Sequence, residues 1–321
     1  MGCCWCNREP MGLTLSAVTW IALAFADCTV SQFIIRAWFE TKSPRFRLVP
    51  LSDAGMLVFA LYQLLILTTI LSHISAGTTD PGSITEEHPE IFDAPKFCAR
   101  CERKTQTTSW KPPRAHHCKT CDRCIFRMDH HCMWINNCVG YRNQKLFILF
   151  LGYTCITAVV TLLLLVVSVC AWFATQDSLA EAGLPNTYSL IFGGILVVVC
   201  IGAMIFVSEF FREQMESIES NTTLVETYQH THGAKMSSSE YLRMIFGDNW
   251  LLWPIPIVSC RPADFSEPVF PDHKGEMCSP LSEIDADELG VAHGQEREKS
   301  TVSRRPGGRL QNNQEMEYKV H

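Results

Sequence analysis

Residues 146–174 read LFILFLGYTCITAVVTLLLLVVSVCAWFA, 29 positions without a charged side chain. A helix of that length and composition crosses a hydrocarbon core of about 30 Å, for which roughly 20 apolar residues suffice. One such run is compatible with a buried core helix, but this one has companions. Residues 188–207 give another 20 uncharged positions, 55–75 give 21 interrupted only by His73, and 11–35 are interrupted only by Asp27. Four runs between residues 11 and 207 predict a polytopic membrane protein. The whole-chain figures, 47% hydrophobic and a net charge of −6, look like those of a soluble protein because they average over the spans and the polar remainder.

The run 11–35 is too long for a signal-peptide core and has no clear cleavage site, so it is expected to remain as the first span. Asp27 within it is costly in lipid and is expected to face neighbouring helices or a polar cavity. Four spans put both termini on the side of the loop 76–145. That loop holds eleven Lys and Arg, whereas the loop 175–187 holds none and carries Asp177 and Glu181. The positive-inside rule makes 76–145 cytosolic, although Arg36, Lys42, Arg45 and Arg47 in the first loop pull the other way. Seven cysteines in 76–145 strengthen the cytosolic reading, because thiols stay reduced there.

The expected organisation is therefore a Cys-rich N-terminus (1–10), two spans with a lumenal loop (11–75) and a cytosolic Cys-rich insert (76–145). Two further spans (146–211), a juxtamembrane region (212–260) and a disordered tail (261–321) follow. Asp80-Pro81-Gly82 is a turn signal closing the second span. Residues 86–95 are acidic and expected to be irregular. In SSSEYLRMIFGDNWLLWPIPI, 237–257, serine caps a short amphipathic helix that Gly247 ends, and Trp250 and Trp253 suit the headgroup region. The tail beyond Arg261 has few large apolar residues.

The insert contains Cys98, Cys101, Cys118, Cys121, Cys124, Cys132 and Cys138, with His116, His117, His130 and His131. The C-x2-C pair at 98/101 and the C-x2-C-x2-C run at 118–124 are strong zinc signals, since such turns let two thiolates grip one ion. Two structural zincs need eight ligands. Six cysteines and two histidines supply them, leaving one cysteine and two histidines over. A disulfide network is the alternative, and a cytosolic setting argues against it. A RING-type ubiquitin ligase also binds two zincs, but its histidine lies between a cysteine and a following C-x2-C pair. Here the histidines precede Cys118 or sit in DHHC, 129–132.

Spacing alone does not identify the spare thiol; local chemistry favours Cys132. It lies two residues after His130 and three after Asp129, so a carboxylate, an imidazole and a thiol can converge. His130 then accepts the thiol proton and Asp129 fixes its tautomer.

These motifs resemble the DHHC protein S-acyltransferases, or palmitoyltransferases: DPG at 80–82, the Cys-rich segment 98–138 with Asp129-His130-His131-Cys132, WINNCVG at 134–140, and four spans around the insert. The resemblance implies an all-α membrane protein with four transmembrane helices and a cytosolic zinc-binding domain between the second and third. It implies that Cys98, Cys101, His117 and Cys124 hold one structural Zn2+ and Cys118, Cys121, His131 and Cys138 the other. It leaves Cys132 as the nucleophile with His130 and Asp129. The sequence departs from the family at Met133, where proline is usual, in a longer stretch between Cys101 and His117, and in TTLVE at 222–226, whose acid falls one place late.

The reaction implied is transfer of a long-chain acyl group from fatty acyl-CoA through Cys132 to cysteines of membrane-associated proteins. The alternative is a non-enzymatic zinc scaffold. Cys132 lies fourteen residues before Leu146, at the membrane face, so an acyl chain can be buried among the spans. Lys111, Arg114, Lys119, Arg123 and Arg127 lie near the site and are expected to include CoA-phosphate contacts, with solvated surface or anionic-lipid contact as the alternative. The partners expected are membrane lipids, acyl-CoA and cysteine-bearing proteins, with no nucleic acid. The compartment implied is the Golgi or endoplasmic reticulum, or else the plasma membrane. In MGCCWC, Cys6 stands where a myristoylation signal wants Ser or Thr. Cys3, Cys4 and Cys6 are instead expected as juxtamembrane sites of self-acylation, with plain reduced thiols or a weak metal site as the alternative.

Nucleophile and ligands separate by metal content. Cys132→Ser is expected to abolish acyl labelling and keep about two zincs per chain, whereas Cys121→Ser or His131→Ala loses metal and fold together. Elemental analysis of the purified variants checks this; zinc release from Cys132→Ser overturns the assignment of the spare thiol.

Overall fold

A computed structural model describes residues 9–36, 52–84, 97–105, 110–174, 187–258 and 270–271. The expectations for Cys3, Cys4 and Cys6, for Lys42, Arg45 and Arg47, for Asp177 and Glu181, for the acidic stretch 86–95 and for almost all of the tail lie outside the described residues.

Among the described residues, four helices are long and apolar enough to cross a membrane: the first, Pro10–Thr29, continuing as a π-helix over Val30–Ile35; the second, Asp53–Thr78; the third, Gln144–Ala174; and the fourth, Thr187–Ser220. Leu57, Val198 and Ile205 on their outer faces stay more than half exposed, as lipid-facing positions do when no membrane surrounds them. Inside the bundle, Val30, Ile35, Tyr62 and Leu196 form a closed core. Polar pairs tie the second helix to the third, Tyr62 Oη to Thr161 Oγ1 at 3.0 Å and Thr69 Oγ1 to Thr157 Oγ1 at 3.1 Å. Asp27 accepts hydrogen bonds from Ser31 Oγ (3.0 Å) and Gln63 Nε2 (2.6 Å), so neighbouring side chains satisfy it within the bundle. The fourth helix runs past the apolar segment to Ser220, and its extension carries the exposed ion pairs of Arg212 with Glu209 and Glu216.

The Cys-rich insert corrects the all-α expectation. Between the second and third helices the chain forms a short helix, Ala99–Thr105, and two antiparallel hairpins: β1 (Ala115–Cys118) with β2 (Arg123–Phe126), and β3 (His130–Cys132) with β4 (Asn137–Val139). The hairpins are too short to show a hydrophobic period, and their turns rest on Asp122 and Asn136, both at positive φ.

Named side chains fix this module to the bundle. Asn137 Nδ2 donates to the carbonyls of Ala76 (3.1 Å) and Thr79 (2.8 Å), and Asn143 Nδ2 to Ala76 (3.1 Å), which satisfies orphan carbonyls at the end of the second helix. The Trp134 carbonyl accepts from Ser16 Oγ (3.1 Å) on the first helix and from His73 Nε2 (2.9 Å) on the second. His73 Nδ1 in turn accepts from Trp20 Nε1 (3.1 Å). Asp80 Oδ1 accepts from the backbone N–H groups of Gly82 and Ser83, closing the DPG turn, and Gly82 has φ of +113°. A Cβ on Gly140 would lie 2.6 Å from the Pro81 carbonyl oxygen, so that strand end admits only glycine.

After the fourth helix, Thr223 caps the helix Leu224–Tyr228 and Ser237 caps Ser238–Phe246, each through a reciprocal capping box. The segment beyond Gly247 returns to the third helix, where Lys145 Nζ donates to the Leu252 carbonyl (2.9 Å). The main tie to the Cys-rich module is a buried polar network. Arg114 Nε and Nη2 donate to Glu226 Oε1 and Oε2 at 2.6 and 2.7 Å. Arg114 Nη1 (3.1 Å) and Arg127 Nη2 (2.7 Å) share Asn221 Oδ1, and Arg127 lies over the Tyr241 ring. Asn221 also begins an N-x-T sequon. It is 2% exposed and its amide nitrogen donates to the Ala234 carbonyl, so a glycan there is incompatible with the fold on either side of a membrane.

Burial would raise the Glu226 carboxyl, but the hydrogen bonds and charge of Arg114, with the Thr223 N–H, hold it below its ordinary value. Its stabilisation is therefore present above about pH 4.5 and lost as pH falls through the lower folded-state value. Glu226→Ala strands a buried guanidinium and is expected to cost about 3–5 kcal/mol. Glu226→Gln is expected to cost less and to remove that acid-side dependence. Thermal unfolding of purified protein between pH 3 and 7 measures both.

Candidate active site

Side chains of a strand alternate between its faces. On β3 this sends His131 one way and His130 and Cys132 the other. His131 meets Cys118, Cys121 and Cys138, while His130 and Cys132 turn toward the helices. The convergence of imidazole and thiol, which the spacing allowed, thus arises from the strand period.

The carboxylate is positioned from three directions. Asp129 is 3% exposed; its Oδ2 accepts from His130 Nδ1 (2.9 Å) and Gln214 Nε2 (2.8 Å), and its Oδ1 from the Leu224 N–H (2.8 Å). Burial opposes its ionisation, but these donors outweigh it and hold the carboxyl below its usual range. For His130, burial would lower the pKa; the Asp129 hydrogen bond, the Cys132 sulfur and the charges of both push it up to about 10. The imidazole packs edge-on against Phe147 (5.4 Å between centroids) and tilted against Phe210 (6.2 Å). Gln214, the Leu224 N–H, Phe147 and Phe210 escaped the sequence reading. Gln214 and Leu224 lie 85 and 95 residues from Asp129, and no local spacing signals such a contact.

Of the insert's other cysteines and histidines all but His116 form two groups, Cys98, Cys101, His117 and Cys124, and Cys118, Cys121, His131 and Cys138, and within each group the ligand atoms lie within 4.8 Å of one another. These are the eight residues the resemblance implied. The adjacent His117 and Cys118 belong to different groups, so β1 joins the two. His117 faces Cys124 across the first hairpin and His131 faces Cys138 across the second. Tetrahedral ligands at about 2.3 Å for sulfur and 2.0–2.1 Å for nitrogen are roughly 3.6–3.8 Å apart. In the first group His117 Nδ1 lies 3.6 Å from Cys98 Sγ and 3.3 Å from Cys101 Sγ, and Cys101 Sγ lies 3.9 Å from Cys124 Sγ. In the second, His131 Nδ1 is 3.5–3.7 Å from its three sulfurs. Both donor sets fit a closed tetrahedral ion.

Cys132 is 5% exposed and lines an apolar cavity of about 330 Å³ that runs between the first, third and fourth helices. Phe147, which packs on the His130 ring, lines it, as do Ala158 and Leu196. Four threonines line it too, but their hydroxyls bond elsewhere: Thr19 to the Leu15 carbonyl, Thr154 to the Phe150 carbonyl, Thr157 to the Tyr153 carbonyl and to Thr69, Thr161 to Tyr62. Only their methyl groups are left to face the space. Of the five cations expected near CoA, Arg114 and Arg127 are corrected: both are buried in the Glu226–Asn221 network and are not available to a phosphate. Lys119 and Arg123 are exposed and Lys111 is partly so.

Residues 91–231 match the family model described as DHHC palmitoyltransferase. The chain is 29% identical over 297 residues to palmitoyltransferase ZDHHC3-A of Danio rerio, covering 85% of each. It is 28% identical over 281 residues to palmitoyltransferase ZDHHC3 of Homo sapiens, covering 81% of this chain and 85% of that one. It is 30% identical over 237 residues to probable protein S-acyltransferase 15 of Arabidopsis thaliana, covering 66% and 88%.

Asp129→Asn keeps an acceptor oxygen but removes the charge that raises His130. Acyl-enzyme formation is expected to slow by about 10²-fold or more with zinc retained. The alkaline limb of its pH profile, near pH 10 in the wild type, is expected to move to lower pH because the imidazolium loses its counter-charge. Single-turnover labelling across pH measures rate and limb together.

Proposed function

The chain belongs to the DHHC palmitoyltransferase family, and we propose that Cys132 is the sulfur through which it passes the acyl group. Its activity is protein S-palmitoyltransfer. The observation that carries the assignment is the opening of an apolar cavity onto the one cysteine of the 98–138 segment outside both tetrahedral groups.

The Cys132 proton passes to His130, whose imidazolium Asp129 stabilises. The sulfur attacks the thioester carbonyl of acyl-CoA, the carbon–sulfur bond to CoA breaks, and the departing CoA thiolate takes the proton from His130. An acceptor cysteine then gives its proton to His130 and attacks the Cys132 thioester, and Cys132 leaves and is reprotonated. Throughout, the acyl chain lies in the cavity, where each buried CH2 is worth about 0.8 kcal/mol. Lys111, Lys119 and Arg123 remain the cations proposed to meet CoA phosphates.

Two Zn2+ ions held by the eight cysteine and histidine ligands would supply a rigid frame with no open coordination position. In this reading the insert, both termini and the juxtamembrane region face the cytosol, where thiols stay reduced and acyl-CoA is available. The domain limits 1–10, 11–75, 76–145, 146–211, 212–260 and 261–321 follow the same scheme. The membrane is the Golgi, the endoplasmic reticulum or the plasma membrane.

Two substitutions test the reading. Cys132→Ser is expected to abolish hydroxylamine-sensitive labelling by a fatty-acyl analogue; retained labelling places the nucleophile elsewhere. Ala158→Phe fills the cavity about 16 Å along the third helix from Phe147 and is expected to shift the preferred acyl-CoA to shorter chains. A chain-length series on the purified variant measures the shift.

A further inference from the structure

Asp129 also lines a second hollow, a polar groove of about 580 Å³. Asp129 forms one wall; Glu213, Glu216, Ser217 and Glu219 on the extension of the fourth helix form the other, with Thr222 at the end. The three glutamates are exposed and repeat every three residues, so they share one helix face. Glu216 pairs with Arg212 at 2.5 Å, and Glu213 and Glu219 make no ion pair among the described residues. The Asp129 carboxylate is already satisfied by His130, Gln214 and Leu224, so the acidic charge left over in the groove is that of Glu213 and Glu219.

A second observation marks this as a binding surface. Ser217 is 5% exposed, lines the groove, and its hydroxyl has no hydrogen-bond partner among the described residues. Several other helical hydroxyls bond back to the preceding turn, as Ser220 does to the Glu216 carbonyl at 2.8 Å and Ser72 to the Thr68 carbonyl at 2.7 Å. The Ser217 hydroxyl leaves an unanswered polar atom in a groove that Asp129 and three glutamates also line. A group that only donates hydrogen bonds and carries positive charge, a lysine ammonium or an arginine guanidinium, complements all of these.

We propose that this groove receives a basic side chain of the acceptor protein and so presents the neighbouring cysteine to the Cys132 thioester. Position supports the role. Phe210 packs on the His130 ring, Gln214 one turn later bonds Asp129, and Ser217 and Glu219 follow on the same helix. Glu213 to Glu219 lie about 5–14 Å along the helix from Phe210, a span an extended peptide covers in about two to four residues. The preferred acceptor therefore carries Lys or Arg about two to four residues from its target cysteine.

The inference rests on acyl transfer through Cys132, and the two half-reactions keep its failure separate from a failure of that reading. Full-length enzyme is loaded from acyl-CoA, then offered cysteine peptides with Lys, Gln or Glu three residues from the cysteine. On the wild type, the Lys peptide is expected to be acylated with a KM at least about tenfold below that of the Glu peptide, the gap narrowing as salt is raised. Glu213→Lys/Glu219→Lys is expected to reverse the order, and Ser217→Ala to raise KM for the Lys peptide with kcat retained. Acyl-enzyme formation without peptide reports that each variant is folded. Equal KM for the three peptides on loaded wild-type enzyme overturns the inference whatever the variants do, as does an unchanged order in a charge-reversed variant that still loads. Failure of the wild type to load at Cys132 overturns the acyl-transfer reading instead.

Discussion

Three consecutive residues of a strand cannot all face the same way. On β3 the middle residue, His131, points into a group of three cysteines, and this obliges His130 and Cys132 to point together in the opposite direction, toward the helices. If His131 is held, the thiol and imidazole are held with it. Strand register therefore links the stability of the module to the geometry of the reacting pair. A one-residue slip of β3 against β4 would turn Cys132 into the metal group and His131 into the bundle.

The rest of the molecule keeps that strand at the right height. Trp134, just after Cys132, has its carbonyl bonded from both the first and second helices, and Asn137 and Asn143 close the end of the second. These bonds hold the strand that places the Cys132 sulfur in the cavity wall. From the other side, the segment after the fourth helix reaches Asp129 through Gln214 and the Leu224 N–H, and reaches the first hairpin through Glu226 and Arg114. The acid of TTLVE, Glu226, closes the capping box with Thr223 and completes the buried ion pair with Arg114. The same helix extension also presents the acidic groove, so one element both fixes Asp129 and lines the proposed path of the acceptor.

Burial gives these polar groups their strength and also their vulnerability. Asp129, Arg114, Asn221 and Glu226 are each 3% exposed or less. In such surroundings a charge is tolerable only with its partners in place, and removing one partner leaves the other uncompensated. The Asp129–His130 pair lies in the same setting; burial alone would lower the imidazole pKa, and its partners Asp129 and Cys132 push it upward instead.

Much of this was legible in the sequence, because the signals were local or additive. Uncharged runs of 20 or more residues identify spanning helices without any knowledge of packing, and the C-x2-C spacing identifies metal turns because two thiolates must reach one ion. DPG and Ser237 announce a turn and a helix start through hydrogen bonds made within three residues. The sequence alone left three things open, each for a physical reason. The hairpins of the insert are three or four residues per strand, too short for a hydrophobic period, so an all-α expectation missed them. Charge and proximity in sequence made Arg114 and Arg127 look like phosphate ligands, but their long side chains meet Glu226 and Asn221 more than 90 residues away, and only the folded chain brings those together. Which polar groups surround Asp129, and what shape the space beside Cys132 takes, depend on helices meeting across that distance, and there tertiary structure alone decides.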